Sequence, residues 1–368
     1  MKFLLISPKN RTVYNFRGDL VKRIVALGYE VVVTGPDRTD VERIEALGAR
    51  FVEIPMNKTG TSILGDLKYL RRLHGLMRME KPDVTLGYTV KPVVYGAMAA
   101  KLAGVKNING MVTGGGYTFT AKTVKARVLG MIVRMLYRIG FACTDHVIFQ
   151  NPDDREEFCA RGLTKAKKCH VVNGSGVNMA HFSPRPLPDM PTFFMLSRLL
   201  KSKGVEEYLK AAELVKQKLP HARFCLLGKY ETTMQDAVPR ELVERYIAGG
   251  IIERFEETSD VRPYYGKCSV YVLPSHREGT PRTVLEAMAM GRPILTTDAN
   301  GCRETVEEGV NGYLVPVGDA EQLAERMLRL ADPQLAEAMG QESIRLCREK
   351  FEVSKVNEQM LRIMELVS

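Results

Sequence analysis

The sequence contains no tryptophan, and aromatic residues account for only 7% of its 368 residues. Its seven cysteines are scattered and form no C-x-x-C pair. An odd number of isolated thiols is typical of a reducing compartment and makes a structural zinc site improbable. There is also no low-complexity stretch and no repeat at a solenoid period. These absences leave an ordinary globular protein of cytoplasmic type.

Long hydrophobic runs are missing as well. No window approaches the roughly 20 uninterrupted apolar residues of a membrane-spanning helix, and the nearest stretch, 128–141, is interrupted by Arg134 and Arg138. The apolar run at the N-terminus stops at Pro8 without a small-residue cleavage site, so we interpret it as a buried strand and not as a signal peptide. We therefore expect a protein that does not span a membrane.

Negative charge is in deficit, with 43 acidic against 53 basic residues and a net charge of +10. Such a balance indicates an anionic partner, which leaves nucleic acid, anionic lipid and a phosphorylated substrate open. No zinc-ligand spacing, aromatic-rich platform or basic run of five or more residues supports nucleic acid. We predict no nucleic-acid partner.

Short apolar, β-branched runs alternate with segments of helical period along the whole chain. This alternation predicts an α/β fold with parallel sheets. The interval 183–191 holds four prolines in nine residues and is interpreted as a linker, because proline removes backbone donors. The predicted strands are 3–6, 31–34, 51–54, 84–86, 107–109, 147–149 and 171–172 before the linker, and 193–196, 223–227, 270–273, 294–297 and 313–315 after it.

The length of the chain exceeds what one hydrophobic core usually holds. We predict two Rossmann-like, doubly wound parallel-sheet domains, residues 1–183 and 184–352, that face a central cleft. In such sheets ligands lie beyond the carboxyl ends of the strands. The last helical segment, 353–368, is expected to cross back to the first domain.

Two glutamates follow the predicted strand 270–273. Glu278 lies in the loop, whereas Glu286 lies inside a helix that starts at Pro281 or Arg282, roughly 7 Å along the axis. This separation excludes an adjacent acid/base pair. The helix N-terminus presents the N–H groups of about residues 282–284 to an anion, which suits a diphosphate. The segment therefore predicts an extended ligand with a sugar at Glu278 and a ribose at Glu286.

Basic residues after the first strand of the second half complement this segment. Arg198 and Lys203 are placed to neutralise a diphosphate leaving group, and Lys201 is expected to face solvent. No D-x-D metal motif stands at a strand end, and Asp153 and Asp154 are interpreted as helix-capping residues. We predict that no metal cofactor is required.

These residues resemble the retaining glycosyltransferase family 4, which has the GT-B fold. The spacing of Glu278 and Glu286 matches its glutamate motif, and Arg198 and Lys203 match its pyrophosphate-binding cations. The resemblance implies a UDP-sugar donor and front-face attack, in which the leaving phosphate helps to deprotonate the acceptor. It assigns catalysis to Glu278, Arg198 and Lys203, and donor binding to Glu286, Gly279, Thr280, Pro281, Arg282, Thr283, Val284, Lys229, Val261 and Asn15.

One departure from the family concerns histidine. Many members carry a histidine in the loop that faces the donor sugar, but the equivalent segment here, 111–119, has none. The one histidine that remains a candidate for the site is His276, which lies beside the donor loop. Without a protein acid or base at the sugar, a nucleotide-sugar epimerase or hydrolase is a weaker alternative.

The first domain resembles a subgroup that extends saccharides on undecaprenyl diphosphate, including bacterial N-acetylgalactosaminyltransferases. The resemblance implies a lipid-linked saccharide acceptor and makes a UDP-N-acetylhexosamine the favoured donor. We assign acceptor binding to Arg17, Lys91, Thr113, Gly114 and Tyr117.

Basic residues punctuate two amphipathic helical stretches, near 66–81 and 120–141. Helices of this kind can lie on anionic lipid, with about 1 kcal/mol from each charge. We expect peripheral association with the inner face of the cell membrane. The alternative is a soluble acceptor, with these helices simply facing solvent.

Overall fold

A computed structural model describes residues 1–57, 62–114, 124–232 and 234–367, with only the backbone for 124–129. The chain forms two compact units, one of residues 1–175 and 353–368 and one of residues 176–352. The sequence-based boundary at 183 lies inside the second unit, because Val177 and Phe182 pack into that unit's core. The proline-rich segment therefore follows the start of the second unit.

The first unit is built on a seven-stranded parallel sheet of order β3-β2-β1-β4-β5-β6-β7. The order reverses between β1 and β4, which is where ligands of doubly wound sheets bind, at the carboxyl ends of the strands. The strands are β1 (Lys2–Ile6), β2 (Glu30–Gly35), β3 (Arg50–Glu53), β4 (Val84–Tyr88), β5 (Asn107–Val112), β6 (His146–Phe149) and β7 (Cys169–Val171).

Helices connect these strands and bury the apolar faces of the sheet. Connected parallel strands require such crossovers. The helices are α1 (Asn10–Phe16), α2 (Gly18–Ala26), α3 (Val41–Glu45), α4 (Ile63–Glu80), α5 (Val90–Ala103), α6 (Val124–Ala142) and α7 (Pro152–Ala160), followed by a 3-10 turn (Ala166–Lys168).

The second unit holds a six-stranded parallel sheet of order β10-β9-β8-β11-β12-β13. Its strands are β8 (Thr192–Leu196), β9 (Arg223–Leu227), β10 (Glu253–Phe255), β11 (Val270–Leu273), β12 (Ile294–Thr297) and β13 (Gly312–Val315). Its helices are α8 (Val205–Lys218), α9 (Arg240–Ala248), α10 (Arg262–Gly266), α11 (Arg282–Ala289), α12 (Ala320–Leu330) and α13 (Pro333–Leu346), with 3-10 turns at Lys201–Lys203 and Arg303–Thr305 and a π-helical turn at Cys347–Phe351.

The predicted fold class of two doubly wound parallel sheets is confirmed. One strand, β10, is missing from the sequence-based prediction. It has only three residues, lies at the edge of its sheet, and is exposed at Glu253 and half-buried at Arg254 and Phe255. Its composition therefore lacks the buried apolar run that identifies the other strands.

The last helix, α14 (Val353–Ile363), packs on α2 of the first unit. Val356, Met360 and Leu361 are buried in the same cluster as Phe3 and Leu5 of the central strand β1. The final sixteen residues thus complete the first unit's core.

No helix in the described ranges is both long enough and apolar enough to span a bilayer.

Replacing Met360 by alanine tests the contribution of α14 to the first unit. Met360 is fully buried, and truncation of a buried methionine costs about 2–5 kcal/mol through lost apolar contact and a residual cavity. We expect the midpoint of urea unfolding of the first unit to fall accordingly. Arg362→Ala, at an exposed position of the same helix, is the control and should change stability little; equal effects would contradict this packing role.

Candidate active site

The loops that follow β8, β9 and β11 touch one another at the carboxyl edge of the second sheet. A Cβ atom at Gly228 would overlap the carbonyl oxygen of Ser197, and one at Gly204 would overlap that of Pro274. Gly204 also adopts a left-handed φ of 74°, which glycine accepts without strain. These glycines let the segments carrying Arg198, Lys203 and Glu278 converge.

An ion pair joins two of these loops. Lys203 Nζ contacts Oε1 of Glu278, 75 residues later in the chain. The hydroxyl of Ser275 donates a hydrogen bond to the same oxygen at 2.9 Å. The two charged side chains are 20% and 15% exposed, so the cation and the carboxylate are largely shielded yet reachable from solvent.

The backbone of the Glu278 loop rests on a turn after β12. The N–H of Glu278 donates to the carbonyl of Asn300 at 2.9 Å. The next residue, Gly301, has a φ of +76°, and a Cβ there would overlap the carbonyl oxygens of both Glu278 and Gly279. The position of Glu278 therefore depends on three neighbouring strands, β8, β11 and β12.

Helix α11 begins with Pro281 as its N-cap, as the sequence predicts. The structure differs at Val284, whose N–H donates to the carbonyl of Pro281 at 3.0 Å. Since this N–H is already used within the first turn, it is less available to an anion than the sequence predicts. Thr280 and Pro281 are buried beside them.

Glu286 lies on α11 and is 12% exposed. Arg282 Nε donates to its Oε1 at 3.2 Å, and the hydroxyl of Tyr265 lies 3.2 Å from its Oε2. Burial raises the pKa of Glu286 above its usual value, although Arg282 and Tyr265 both act to lower it. The Glu286 carboxylate thus accepts hydrogen bonds from Arg282 and Tyr265 in a largely buried position.

Arg198, Lys229 and Val261, which were predicted to contact the donor, also lie in the second unit, as does Lys201, which was expected to face solvent. Arg198 is exposed, with Nη1 3.1 Å from the sulfur of Met234. Lys201 is 51% exposed and pairs with Glu206. Lys229 is exposed after β9, and Val261 is the half-buried N-cap of α10.

Among the described contacts, the imidazole of His276 meets Glu207 and not Glu278 or Glu286. Its Nε2 lies 2.9 Å from Oε1 of Glu207 on α8, and the backbone N–H of His276 donates to the carbonyl of Ser202. Three residues that the sequence did not predict also support the site. Ser275 contacts Glu278, Tyr265 contacts Glu286, and Gly301 packs closely against the backbone of Glu278 and Gly279. Of these three, only Ser275, two residues after the end of β11, has a position in the sequence that indicates a role at the site.

The predicted acceptor residues of the first unit have varied environments. Arg17 is 2% exposed, its guanidinium near the sulfurs of Met111 and Met360. The side chain packs between the sheet and α14, and its assignment to the acceptor stays a prediction.

Lys91 pairs with Asp66 at 2.6 Å and is 14% exposed. Asn15 is exposed at the end of α1, and Thr113 and Gly114 are half-buried after β5. Tyr117 lies outside the described residues.

Two family models match this chain. One, described as glycosyl transferase 4-like domain, matches residues 15–174, and the other, described as glycosyl transferases group 1, matches residues 190–332. The chain belongs to the family 4 glycosyltransferases. The second match contains the whole Glu278–Glu286 segment.

Similar proteins agree with this membership. A Campylobacter jejuni protein named N,N'-diacetylbacillosaminyl-diphospho-undecaprenol alpha-1,3-N-acetylgalactosaminyltransferase is 26% identical over 350 residues, 91% of each chain. An Escherichia coli protein named UDP-Gal:alpha-D-GlcNAc-diphosphoundecaprenol alpha-1,3-galactosyltransferase is 24% identical over 81% of this chain and 78% of its own.

A solved structure shares the fold of this glycosyltransferase. Anabaena HepE in complex with UDP and glucose aligns with a TM-score of 0.80 at 18% identity, covering 100% of both chains. At this identity the likeness concerns the GT-B fold alone.

Gly301→Ala tests the close approach at the Glu278 loop. Alanine there meets two carbonyl oxygens in addition to the strain of a left-handed residue, so we expect a loss of about 3 kcal/mol or more in unfolding free energy. Gly309 has a φ of +74° with nothing within 4 Å of a built Cβ. Gly309→Ala is therefore the matched control, with an expected loss of about 1 kcal/mol in unfolding free energy. Equal losses in the two variants would contradict a close approach at Gly301.

Glu286→Gln tests the burial of that carboxylate. A raised folded-state pKa means that ionisation opposes folding above that pKa, whereas the penalty is absent below the unfolded-state value of about 4.3. The variant without ligand should melt above the wild type at pH 8, and the difference should shrink as the pH falls toward 4. The exposed Glu325→Gln is the control, and a variant that melts no higher than the wild type at pH 8 contradicts the assignment.

Proposed function

We propose that this glycosyltransferase moves a sugar from a UDP-sugar to a saccharide linked to undecaprenyl diphosphate, with retention of anomeric configuration and without a metal. The favoured donor sugar is an N-acetylhexosamine such as N-acetylgalactosamine. The observation that carries the proposal is the meeting of Lys203, Glu278 and the start of α11 at one sheet edge.

The donor's diphosphate lies at the N-terminus of α11 in this proposal. The N–H groups of Arg282 and Thr283 meet its oxygens, and Lys203 and Arg198 neutralise the charge that grows on the leaving group. These cations supply the stabilisation that a divalent metal would otherwise provide. Glu278 then orients hydroxyls of the sugar, and Glu286 accepts hydrogen bonds from the ribose.

Retention follows from attack on the face from which UDP departs. The acceptor hydroxyl gives its proton to the leaving phosphate while its oxygen bonds to the anomeric carbon, so no protein nucleophile is needed. Glu278 is unsuited to a nucleophilic role because its Oε1 is already held by Lys203 and Ser275. UDP and the extended saccharide are the products.

The acceptor class rests on the relatives' names, two of which specify an undecaprenyl-linked diphosphate. Basic helices of the first unit support an inner membrane surface as the place of action. On α4 the residues Lys68, Arg71, Arg72 and Arg78 are exposed. A soluble acceptor is the alternative; binding to anionic vesicles that high salt releases favours the lipid, and no binding at any salt concentration counts against it.

Substitution of the two glutamates should impair different steps, turnover for Glu278 and nucleotide binding for Glu286. Glu278→Gln removes the charge that holds Lys203 and the sugar, so kcat should fall about 100-fold or more with UDP affinity within about threefold of the wild type. Glu286→Ala removes the ribose contact and should weaken UDP binding about tenfold or more. Calorimetry with UDP and steady-state kinetics separate the two, and identical profiles would contradict the division of roles.

A donor panel tests the reaction itself. Purified protein is incubated with an undecaprenyl-diphosphate-linked saccharide and UDP-linked GalNAc, GlcNAc, Gal or Glc, each with and without EDTA. We expect transfer chiefly from a UDP-N-acetylhexosamine, unchanged by EDTA. Loss of turnover with EDTA would refute metal independence, and transfer only to soluble sugars would refute the lipid acceptor.

A further inference from the structure

The first unit contains a cavity between α2 and α14, which is lined by none of the residues predicted to bind the donor or the acceptor. Its volume of about 810 Å³ is within the range of roughly 300–1,000 Å³ that is typical of small-molecule sites. Every residue that lines it lies in one of these two helices. The cavity therefore belongs to the first unit alone.

The side chain of Asn357 lines this cavity although the residue is only 5% exposed. In the ranges that the structure describes, its amide group forms no hydrogen bond. A buried amide without a partner is unfavourable, and such groups in folded proteins are nearly always hydrogen-bonded. Since the amide can both donate and accept, it suits a ligand that does the same.

Carboxylates and cations line the same cavity in similar number. Oxygens of Glu358 lie 3.8 Å from Nη2 of Arg23 and 3.8 Å from Nε of Arg362, which is longer than a hydrogen bond. Asp19 is half-buried, and among the described residues it forms no ion pair. With Lys355, three cations stand beside two carboxylates. Donors and acceptors are thus both available at this site, and their charges nearly balance.

This mixture of groups favours one kind of ligand. A small inorganic anion would meet two carboxylates, and a small cation would meet three basic side chains. A sugar hydroxyl donates one hydrogen bond and accepts others, so neighbouring hydroxyls can meet a carboxylate and an amide or guanidinium together. The aliphatic parts of the arginine side chains can cover the C–H groups of the ring. The lining therefore fits a neutral ligand with many hydroxyl groups.

We propose that this cavity is a saccharide-binding site of the first unit, in addition to the donor and acceptor positions of the proposed function. Asn357 and Asp19 bind hydroxyls inside the cavity, and the more exposed Arg23 and Glu358 bind hydroxyls nearer to solvent. The site lets the enzyme hold a glycan chain at a place other than the reacting groups. It does not depend on the lipid of the proposed acceptor, since the groups named here recognise hydroxyls.

Two double variants with the same net charge test the position of the site. Asp19→Asn/Arg23→Ala removes one carboxylate and one cation that line the cavity. Lys22→Ala/Glu365→Gln removes one of each from exposed positions that do not line it. A third variant, Asn357→Ala, removes the buried amide. Because that amide has no partner in the ligand-free protein, this variant should stay folded, which a thermal melt checks.

N,N′-diacetylchitobiose, lactose and maltose serve as neutral probes and inorganic phosphate as an anionic probe, in NMR titrations with UDP at saturation so that the donor site is filled. We expect at least one disaccharide to bind more tightly than phosphate. Its affinity should fall about tenfold or more in Asp19→Asn/Arg23→Ala and in Asn357→Ala, and should stay within about twofold in the control. Absence of disaccharide binding, tighter binding of phosphate, or equal effects in the two double variants would overturn the inference.

Transfer assays separate this inference from the proposed function. The cavity lies in the first unit and the donor edge in the second, so the cavity variants should keep UDP affinity within about twofold of the wild type. Disaccharide binding that depends on the cavity, without transfer to a lipid-linked saccharide, supports the site and refutes the function. Transfer without cavity-dependent disaccharide binding refutes the site and leaves the function standing.

Discussion

The contact between Lys203 and Glu278 is the interaction on which the site depends, because it joins loops from two neighbouring strands of the second sheet. Parallel strands end at the same edge, but their loops meet only if their backbones can approach. Gly204 and Gly301 make this approach possible on either side of Glu278. The ion pair then fixes the cation and the carboxylate at the sheet edge where we propose that a nucleotide sugar binds.

The pair also explains how the ligand-free protein keeps these charges in position. A cation buried without a partner is strongly destabilising, whereas here each charge stabilises the other. In the proposed complex, the diphosphate is a second anionic partner for Lys203 near α11. The hydrogen bond from Ser275 is a second contact that orients the Glu278 carboxylate, independent of Lys203.

Much of the fold follows from local sequence pattern. The buried strands of both sheets alternate with helical segments, and Pro281 correctly predicts where α11 begins. The edge strand β10 could not be predicted from the sequence, because its residues form ladder hydrogen bonds without burying an apolar run. Glu278 and Glu286 could be recognised by spacing, but Tyr265 could not, because its contact with Glu286 depends on how α10 packs against α11 in three dimensions.

The first unit shows the same limit for cations. Sequence alone does not distinguish Arg17, which is buried in the core, from Arg72, which lines a cavity. The difference arises from the position of each residue relative to the sheet edge and α14. The net positive charge predicts an anionic partner, but it does not separate cations that lie in the core from cations that line the surface; packing does.

The most direct test of the donor arrangement is a crystal structure of the protein with UDP. The account predicts the diphosphate at the start of α11, within hydrogen-bond distance of the Arg282 and Thr283 N–H groups and of Lys203 Nζ, with the ribose hydroxyls on Glu286. A diphosphate bound away from α11, or a ribose that does not contact Glu286, would contradict it.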